Sequence, residues 1–230
     1  MKRQLAFHLP PRENLGREDY IVTPSTALAL CAMDRWRDWP GGKMLLVGPE
    51  GAGKSHLAAI WASATGAPRL AATDLAATDI VGLDLPALAA TGAVAIEDAD
   101  RIAGDRAAET ALFHLHNMLL PAGRLLVTAK APPRDWGLAL PDLMSRLQAA
   151  ALTRLEAPDD ALLNGVLVKL FADRQLQPPP SLIPWAIARM PRSIRAARAL
   201  VARMDELALE RGCAPGLRLA AEILGDTLPE

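Results

Sequence analysis

One stretch of eight residues has the spacing of a phosphate-binding loop. Its residues are Gly48, Pro49, Glu50, Gly51, Ala52, Gly53, Lys54 and Ser55. They match the pattern G-x-x-x-x-G-K-[ST], in which the glycines let backbone N–H groups turn inward around phosphates. Lys54 can then reach the β- and γ-phosphates, and Ser55 can hold Mg²⁺. The stretch therefore predicts binding of ATP or ADP with Mg²⁺; the alternative is an accidental glycine-rich turn.

A pair of acids ends the apolar stretch GAVAIEDAD. ATP hydrolysis needs one acid near the metal and one near the attacking water, and we assign Glu97 to the metal, with Ser55, and Asp98 to the water. Asp is usual at the first position, and the extra methylene of Glu97 displaces its carboxylate in a site that is sensitive to small displacements. We therefore expect nucleotide binding to tolerate this residue better than hydrolysis does; the alternative is a turn with solvated acids.

A third apolar stretch, GRLLVTAKAPP, carries one polar residue near its end. This residue is Thr128, which is placed to sense the γ-phosphate. Thr also favours strands for steric reasons, so its presence alone is a weak signal.

The elements that must position these residues are strands that alternate with helices. The stretches KMLLV, GAVAI and GRLLV read as short buried strands, and helical spacing follows each of the first two. This alternation predicts an α/β fold with a parallel sheet and helices on both faces. From EAPDD onward the pattern is helical only. We therefore divide the chain into a flexible N-terminal peptide (1–12), an α/β nucleotide-binding domain (13–156) and a small helical domain (157–230).

Composition narrows the classes of protein. No apolar run approaches the roughly 18 residues of a membrane helix, and Pro10 and Pro11 interrupt the first run too early for a secretion signal. We expect a cytoplasmic protein that does not contact membranes. The net charge of −1 offers no general attraction to nucleic acid. Cys31 and Cys213 lack neighbouring metal ligands, and we assign them no function.

Several segments together resemble the DnaA branch of AAA+ proteins. In chain order they are EDYIVTPSTALAL, GKSHL, FHLHN, VTAKAPPRDW, LMSRL and MPRSIR. The resemblance runs from about Asp19 to the C-terminus and implies an AAA+ P-loop NTPase module followed by an all-α lid. It also implies that Tyr20 and Ile21 lie on the adenine side of a bound nucleotide, and that His56 belongs to the nucleotide site.

The same resemblance implies roles for two arginines. Arg146 in LMSRL corresponds to the arginine finger that enters the nucleotide site of a neighbouring subunit, and Arg192 in MPRSIR corresponds to the sensor 2 arginine. A surface arginine on a helix is the alternative for Arg146. Arg192 could instead belong to a basic partner face, together with Arg189, Arg195, Arg198 and Arg203.

The N-terminus resembles a clamp-binding peptide of the Q-L-x-L/F type. The residues that carry this resemblance are Gln4, Leu5, Phe7 and Leu9. In an extended chain the three apolar side chains project to one side, where burying each contributes roughly 1.5 to 3 kcal/mol before ordering costs.

With no residues left for a DNA-reading domain, the chain is similar to Hda-type DnaA-related AAA+ proteins, the regulatory inactivators of the replication initiator.

This resemblance implies a function and its partners. The chain is expected to bind ADP or ATP and the sliding clamp (the β subunit of DNA polymerase III). Arg146 is expected to promote hydrolysis of DnaA-bound ATP in trans, which regulates initiation negatively, while the chain's own ATPase is weak or absent and sequence-specific DNA binding is not expected. Homo-oligomerisation stays open. The alternatives are a helicase-loader or transposition-helper type AAA+ ATPase, and a nucleotide-dependent clamp adaptor without effect on hydrolysis.

Overall fold

A computed structural model describes residues 15–76, 84–120 and 122–225. The predicted clamp-binding residues Gln4, Leu5, Phe7 and Leu9 lie outside the described residues.

Strands and helices alternate through the first two thirds of the described chain. The strands are β1 (Lys43–Val47), β2 (Arg69–Ala71), β3 (Ala93–Glu97), β4 (Arg124–Ala129) and β5 (Ala151–Arg154). The α-helices are α1 (Pro24–Asp34), α2 (Lys54–Thr65), α3 (Ala72–Ala76), α4 (Leu85–Ala90), α5 (Arg106–Met118), α6 (Pro141–Gln148), α7 (Asp160–Asp173), α8 (Leu182–Ile187), α9 (Ile194–Arg211) and α10 (Leu217–Leu224). Short 3-10 turns join several of these elements.

All five strands pair in parallel, in the order β2-β3-β4-β1-β5. This sheet, with helices on both faces, confirms the predicted α/β class. The three predicted strands are the central ones, β1, β3 and β4, which are almost fully buried. β2 and β5 were not predicted from the sequence because they are short edge strands, only partly buried, and do not form an apolar run.

Alternation along the strands divides the core between the two faces of the sheet. Leu45, Val94 and Leu125 pack with α5 and α6 on one face. Met44 and Leu46 pack with α1 and α2 on the other face. Because parallel strands bury both faces, neither face of the central strands is left for solvent.

The helices α7 to α10 enclose a third hydrophobic cluster. Its fully buried members include Leu163, Leu167, Val201 and Met204, and α9 packs against both α7 and α10. The separate cluster agrees with the helical pattern of the sequence, while the domain boundary at residue 157 stays a prediction. Among the described residues no helix is both long enough and apolar enough to span a membrane.

Candidate nucleotide site

The phosphate loop connects β1 to α2, as the sequence pattern requires. Gly51 and Gly53 have φ angles of 76° and 101°, in the left-handed region that favours glycine. A Cβ atom at Gly51 would also collide with the Ser193 hydroxyl, at the N-terminus of α9. Both the backbone conformation and the close approach of the lid helix therefore explain this glycine.

Lys54 lies at the base of the loop and is buried, with 6% of its surface exposed. Its Nζ donates hydrogen bonds to the carbonyls of Gly48 (2.6 Å) and Pro49 (2.9 Å). Burial lowers the pKa of the ammonium, and the nearby carboxylates of Asp98 and Asp100 oppose that shift. The structure thus brings the lysine and the acids that follow β3 into one electrostatic environment.

Glu97 is engaged by an arginine from the neighbouring strand. Its Oε1 accepts hydrogen bonds from Nε (2.8 Å) and Nη2 (2.6 Å) of Arg69 on β2, and its side chain is only 15% exposed. A metal ligand at this position would have to share its charge with a guanidinium, which weakens attraction for a cation. Arg69 was not predicted as a site residue because its strand, β2, was not predicted from the sequence.

Asp98 and Thr128 join the ends of β3 and β4. Asp98 has a φ of 54°, and its backbone N–H donates to Thr128 Oγ1 at 3.0 Å. Two residues further along each segment, the N–H of Lys130 donates to Asp100 Oδ1 at 3.2 Å. The predicted sensor hydroxyl is therefore beside the predicted acid, at the carboxyl edge of the sheet.

The oxygen atoms near the phosphate loop suit Mg²⁺ only when phosphates of a nucleotide complete its coordination. Among the described residues no group of three or more acidic, His or Cys side chains could hold a metal by itself. Mg²⁺ is commonly bound through one or two protein oxygens together with substrate phosphates. Exposed Ser55 at the start of α2 and Asp98 after β3 are the oxygens that suit this arrangement.

Glu50 links the phosphate loop to two cations from other elements. Its carboxylate pairs with Lys130, 3.5 Å away, and with Arg195 of α9. The backbone N–H of Ile194 also donates to Gly51 O at 2.9 Å. The N-terminus of α9 thus sits directly on the phosphate loop.

Arg192, the predicted sensor 2 residue, contacts a different element. Its Nη2 donates to Asp160 Oδ1 (2.7 Å) and its Nη1 to Pro158 O (3.2 Å), both at the start of α7. Arg195, one turn further along the chain, is the arginine that the structure brings to the loop. It was visible in the sequence as a member of the arginine row, but only tertiary contacts distinguish it.

The predicted adenine-side residues meet both α2 and α7. The Tyr20 ring lies edge-on to His56 with centroids 5.1 Å apart, and burial raises the pKa of Tyr20 to about 12. His56 Nε2 is 2.8 Å from Gly16 O. The Ile21 side chain lies against Gly165 of α7. The N-terminal segment, the helix after the phosphate loop and the lid therefore converge.

Arg146 lies at the end of the sheet where the strands begin, and the phosphate loop lies at the end where they finish. It is near the C-terminus of α6, immediately before β5, whose Ala151 pairs with Met44 at the start of β1. The phosphate loop follows the other end of β1, roughly 13 Å away along the strand. Arg146 is exposed, and the described residues include no carboxylate that pairs with it. It lines an open cavity of about 350 Å³.

A buried carboxylate orients the segment that leads into α6. Glu109 of α5 is fully buried and accepts hydrogen bonds from the N–H groups of Gly104 (3.0 Å), Ala139 (3.0 Å) and Leu140 (2.7 Å). Leu140 is the N-cap residue of α6. The role of Glu109 was not predicted from the sequence because Glu on an amphipathic helix ordinarily faces solvent.

Comparison with known proteins supports one fold. Domain III of the replication initiation protein DnaA from Thermotoga maritima matches with a TM-score of 0.79 and 18% identity, over 94% of this chain and 98% of that one. AMPPCP-bound DnaA from Aquifex aeolicus matches with a TM-score of 0.66 and 17% identity, over 85% and 65%. RuvB from Thermotoga maritima matches with a TM-score of 0.59 and 19% identity, over 86% and 66%. No protein-family model matches the chain. The chain thus has the AAA+ fold of DnaA domain III.

Proposed function

We propose that this chain is a nucleotide-binding AAA+ regulator of replication initiation that promotes hydrolysis of DnaA-bound ATP at the sliding clamp. The observation that carries the proposal is the position of Arg146. Arg146 is exposed at the end of the sheet where the strands begin, and the chain's own phosphate loop lies at the other end. It is therefore suited to another subunit's nucleotide and not to its own. The DnaA-like fold supports a DnaA molecule as that other subunit.

The proposed chemistry in trans is electrostatic. Negative charge on the transferring γ-phosphoryl group of the partner's ATP would be stabilised by the Arg146 guanidinium, an effect worth roughly 10³ to 10⁵ in rate where such fingers are well studied. Asp142 lines the same cavity as Arg146, but among the described residues no carboxylate forms an ion pair with Arg146, so the guanidinium can be inserted without first breaking one.

The chain's own site is proposed to hold ADP or ATP. The loop glycines, Lys54 and Ser55 would supply the usual phosphate contacts, and the Aquifex aeolicus DnaA of the same fold was solved with AMPPCP. Ser55 and Asp98 would hold Mg²⁺ at this site, and the metal would supply neutralisation of phosphate charge. Because Glu97 is paired with Arg69, we propose that the chain's own hydrolysis is weak or absent.

The lid arginine that senses nucleotide is proposed to be Arg195. It already lies at the phosphate loop, where Glu50 occupies it, whereas Arg192 pairs with Asp160. Phosphates that enter the loop would compete with the Glu50 carboxylate for this guanidinium. Nucleotide and lid position would thereby be coupled.

Clamp binding is proposed from the sequence alone. Gln4, Leu5, Phe7 and Leu9 carry it, and all four lie outside the described residues. Deletion of residues 1–10 is expected to abolish co-purification with the sliding clamp while leaving nucleotide binding unchanged.

The decisive experiment measures hydrolysis of DnaA-bound ATP with clamp loaded on DNA. The wild-type chain is expected to accelerate it, and Arg146→Ala is expected to lose at least about 10²-fold of that acceleration. Arg203→Ala, which removes another exposed arginine, on α9, is the matched control and should retain full activity. Full acceleration by Arg146→Ala would refute the proposal. Clamp binding without any acceleration by the wild-type chain would instead select the adaptor function.

A further inference from the structure

The sheet ends at β5 with unused backbone hydrogen-bonding groups. β5 is the last strand in the order of the described sheet, and Leu155 N–H donates to Val47 O at 2.8 Å. In a parallel ladder with this register, the alternate residues Leu152 and Arg154 direct their N–H and C=O groups away from β1. No described residue donates to or accepts from these groups. Within the part of the chain that the structure describes, the outer edge of β5 is therefore unpaired and can accept an added strand.

A groove runs beside this edge on the α6 face of the sheet. It has a volume of about 180 Å³, and we call it the β5 groove. Its lining includes the apolar residues Pro132, Pro133, Leu147, Ala150 and Leu152 and the cationic residues Arg134 and Arg154. Leu152 is 42% exposed, unlike the apolar residues of the central strands. An apolar floor with cationic side chains next to unpaired strand groups is the combination that recognises extended peptides.

Charge distinguishes between the occupants of this groove. Arg134 has only a long contact of 3.6 Å to the exposed carboxylate of its neighbour Asp135, and Arg154 has no carboxylate partner among the described residues. Two copies of the chain paired through β5 would bring arginines against arginines, which disfavours self-association. An acidic segment of another protein would be attracted instead.

We propose that the β5 groove binds an extended peptide segment of a partner protein in which an apolar residue is followed, two positions later, by Asp or Glu. Residues two apart on a strand face the same side. With the peptide parallel to β5, as the strands of the described sheet are to one another, the apolar side chain lies against Leu152 and the carboxylate against Arg154, while the peptide backbone bonds to the unpaired edge. This inference does not depend on the proposed function in ATP hydrolysis.

The test uses a fluorescein-labelled peptide, Thr-Ser-Leu-Thr-Glu-Thr-Ser amide, titrated with the full chain by fluorescence polarisation. Saturable binding is expected, and Arg154→Glu should weaken it at least roughly tenfold. The same variant should bind the peptide with Lys in place of Glu better than the wild-type chain does. Arg203→Glu on α9 is the matched control and should bind both peptides as the wild type does.

Two further arms separate strand addition from general charge attraction. A peptide with N-methyl groups on alternate backbone nitrogens on its edge-facing side should lose binding, because it cannot donate to the Leu152 and Arg154 carbonyls. Leu152→Asp should also lose it, with circular dichroism and thermal unfolding used to verify the fold of each variant. Absence of saturable binding up to about 1 mM, equal binding of the methylated peptide, or self-association through this edge would each overturn the proposal.

Discussion

At the scale of single residues, environment decides what each ionisable group can do. Glu97 and Asp98 are adjacent carboxylic acids in the sequence, but their surroundings differ. Glu97 forms an ion pair with Arg69. Asp98 donates its backbone N–H to Thr128, and its carboxylate interacts electrostatically with Lys54. The order of the two acids in the chain predicts Glu97 near the metal and Asp98 near the attacking water, and the ion pair of Glu97 with Arg69 favours Asp98 as the metal ligand that we propose. The difference arises from a strand, β2, that only the sheet makes visible.

His116 gives a residue-scale prediction about pH. It is 4% exposed on α5, and burial, together with the charges of Lys43 and Arg146, lowers its pKa from 6.5 to about 4. Between these two values the unfolded chain binds more protons than the folded one, so stability falls as pH falls from about 6.5 to 4. The full contribution is of order 3 kcal/mol.

The measurement is the free energy of unfolding by urea at several pH values. His116→Gln should flatten the part of the pH dependence between about 4 and 6.5, whereas His114→Gln, an exposed position on the same helix, should not. Identical pH profiles for the two variants would contradict the prediction.

At the scale of elements, the N-terminus of α9 couples the lid to the phosphate loop. Arg195→Ala should weaken ATP binding by roughly 10- to 150-fold, because a charged hydrogen bond to phosphate is worth roughly 1.5 to 3 kcal/mol. Arg192→Ala should change the affinity less than about twofold, since Arg192 binds Asp160 and Pro158 O. Titration with a fluorescent ATP analogue measures both. The reverse ranking would restore Arg192 as the nucleotide sensor.

The connection between α5 and α6 yields a second prediction at this scale. Glu109→Gln keeps one acceptor oxygen but turns an NH₂ group toward backbone N–H donors in a site without solvent. A loss of about 1 to 3 kcal/mol is expected, or roughly 2 to 12 °C in Tm for a chain of this size. The exposed Glu206→Gln is the control and should change Tm little.

Hydrogen exchange localises that loss. The amides of Ala139 and Leu140 should lose protection in Glu109→Gln more than the amides of β3 do. An unchanged exchange rate at both amides would show that Glu109 does not orient the entry to α6.

At the scale of the whole molecule, nucleotide should stabilise the sheet and the lid together. The lid contacts the rest of the chain through the Lys169 to Asp19 ion pair (2.7 Å) and through the contacts of α9 with the phosphate loop. ADP with Mg²⁺ at 100 times its Kd should raise the free energy of unfolding by about 2.7 kcal/mol. Lys54→Ala should lose most of this increase. Thermal unfolding at increasing ADP concentration measures this stabilisation. An equal rise in Tm for the wild-type chain and for Lys54→Ala would contradict the proposed site.

The sequence by itself determined the features that local chemistry encodes. The phosphate loop, the three central strands, the amphipathic α5 and the helical C-terminal third each follow from residue types and periodicity within a short window. Their order was enough to predict the α/β class, because alternating strands and helices favour a parallel sheet.

The tertiary structure alone decided which residues meet. The edge strands β2 and β5 exist through pairing with buried neighbours, since their own sequences lack an apolar run. Several contacts join residues from different elements: the ion pairs of Arg69 with Glu97 and of Arg195 with Glu50, and the three backbone hydrogen bonds that Glu109 accepts. Such contacts depend on how packed elements are oriented in space, which periodicity within a single element does not specify.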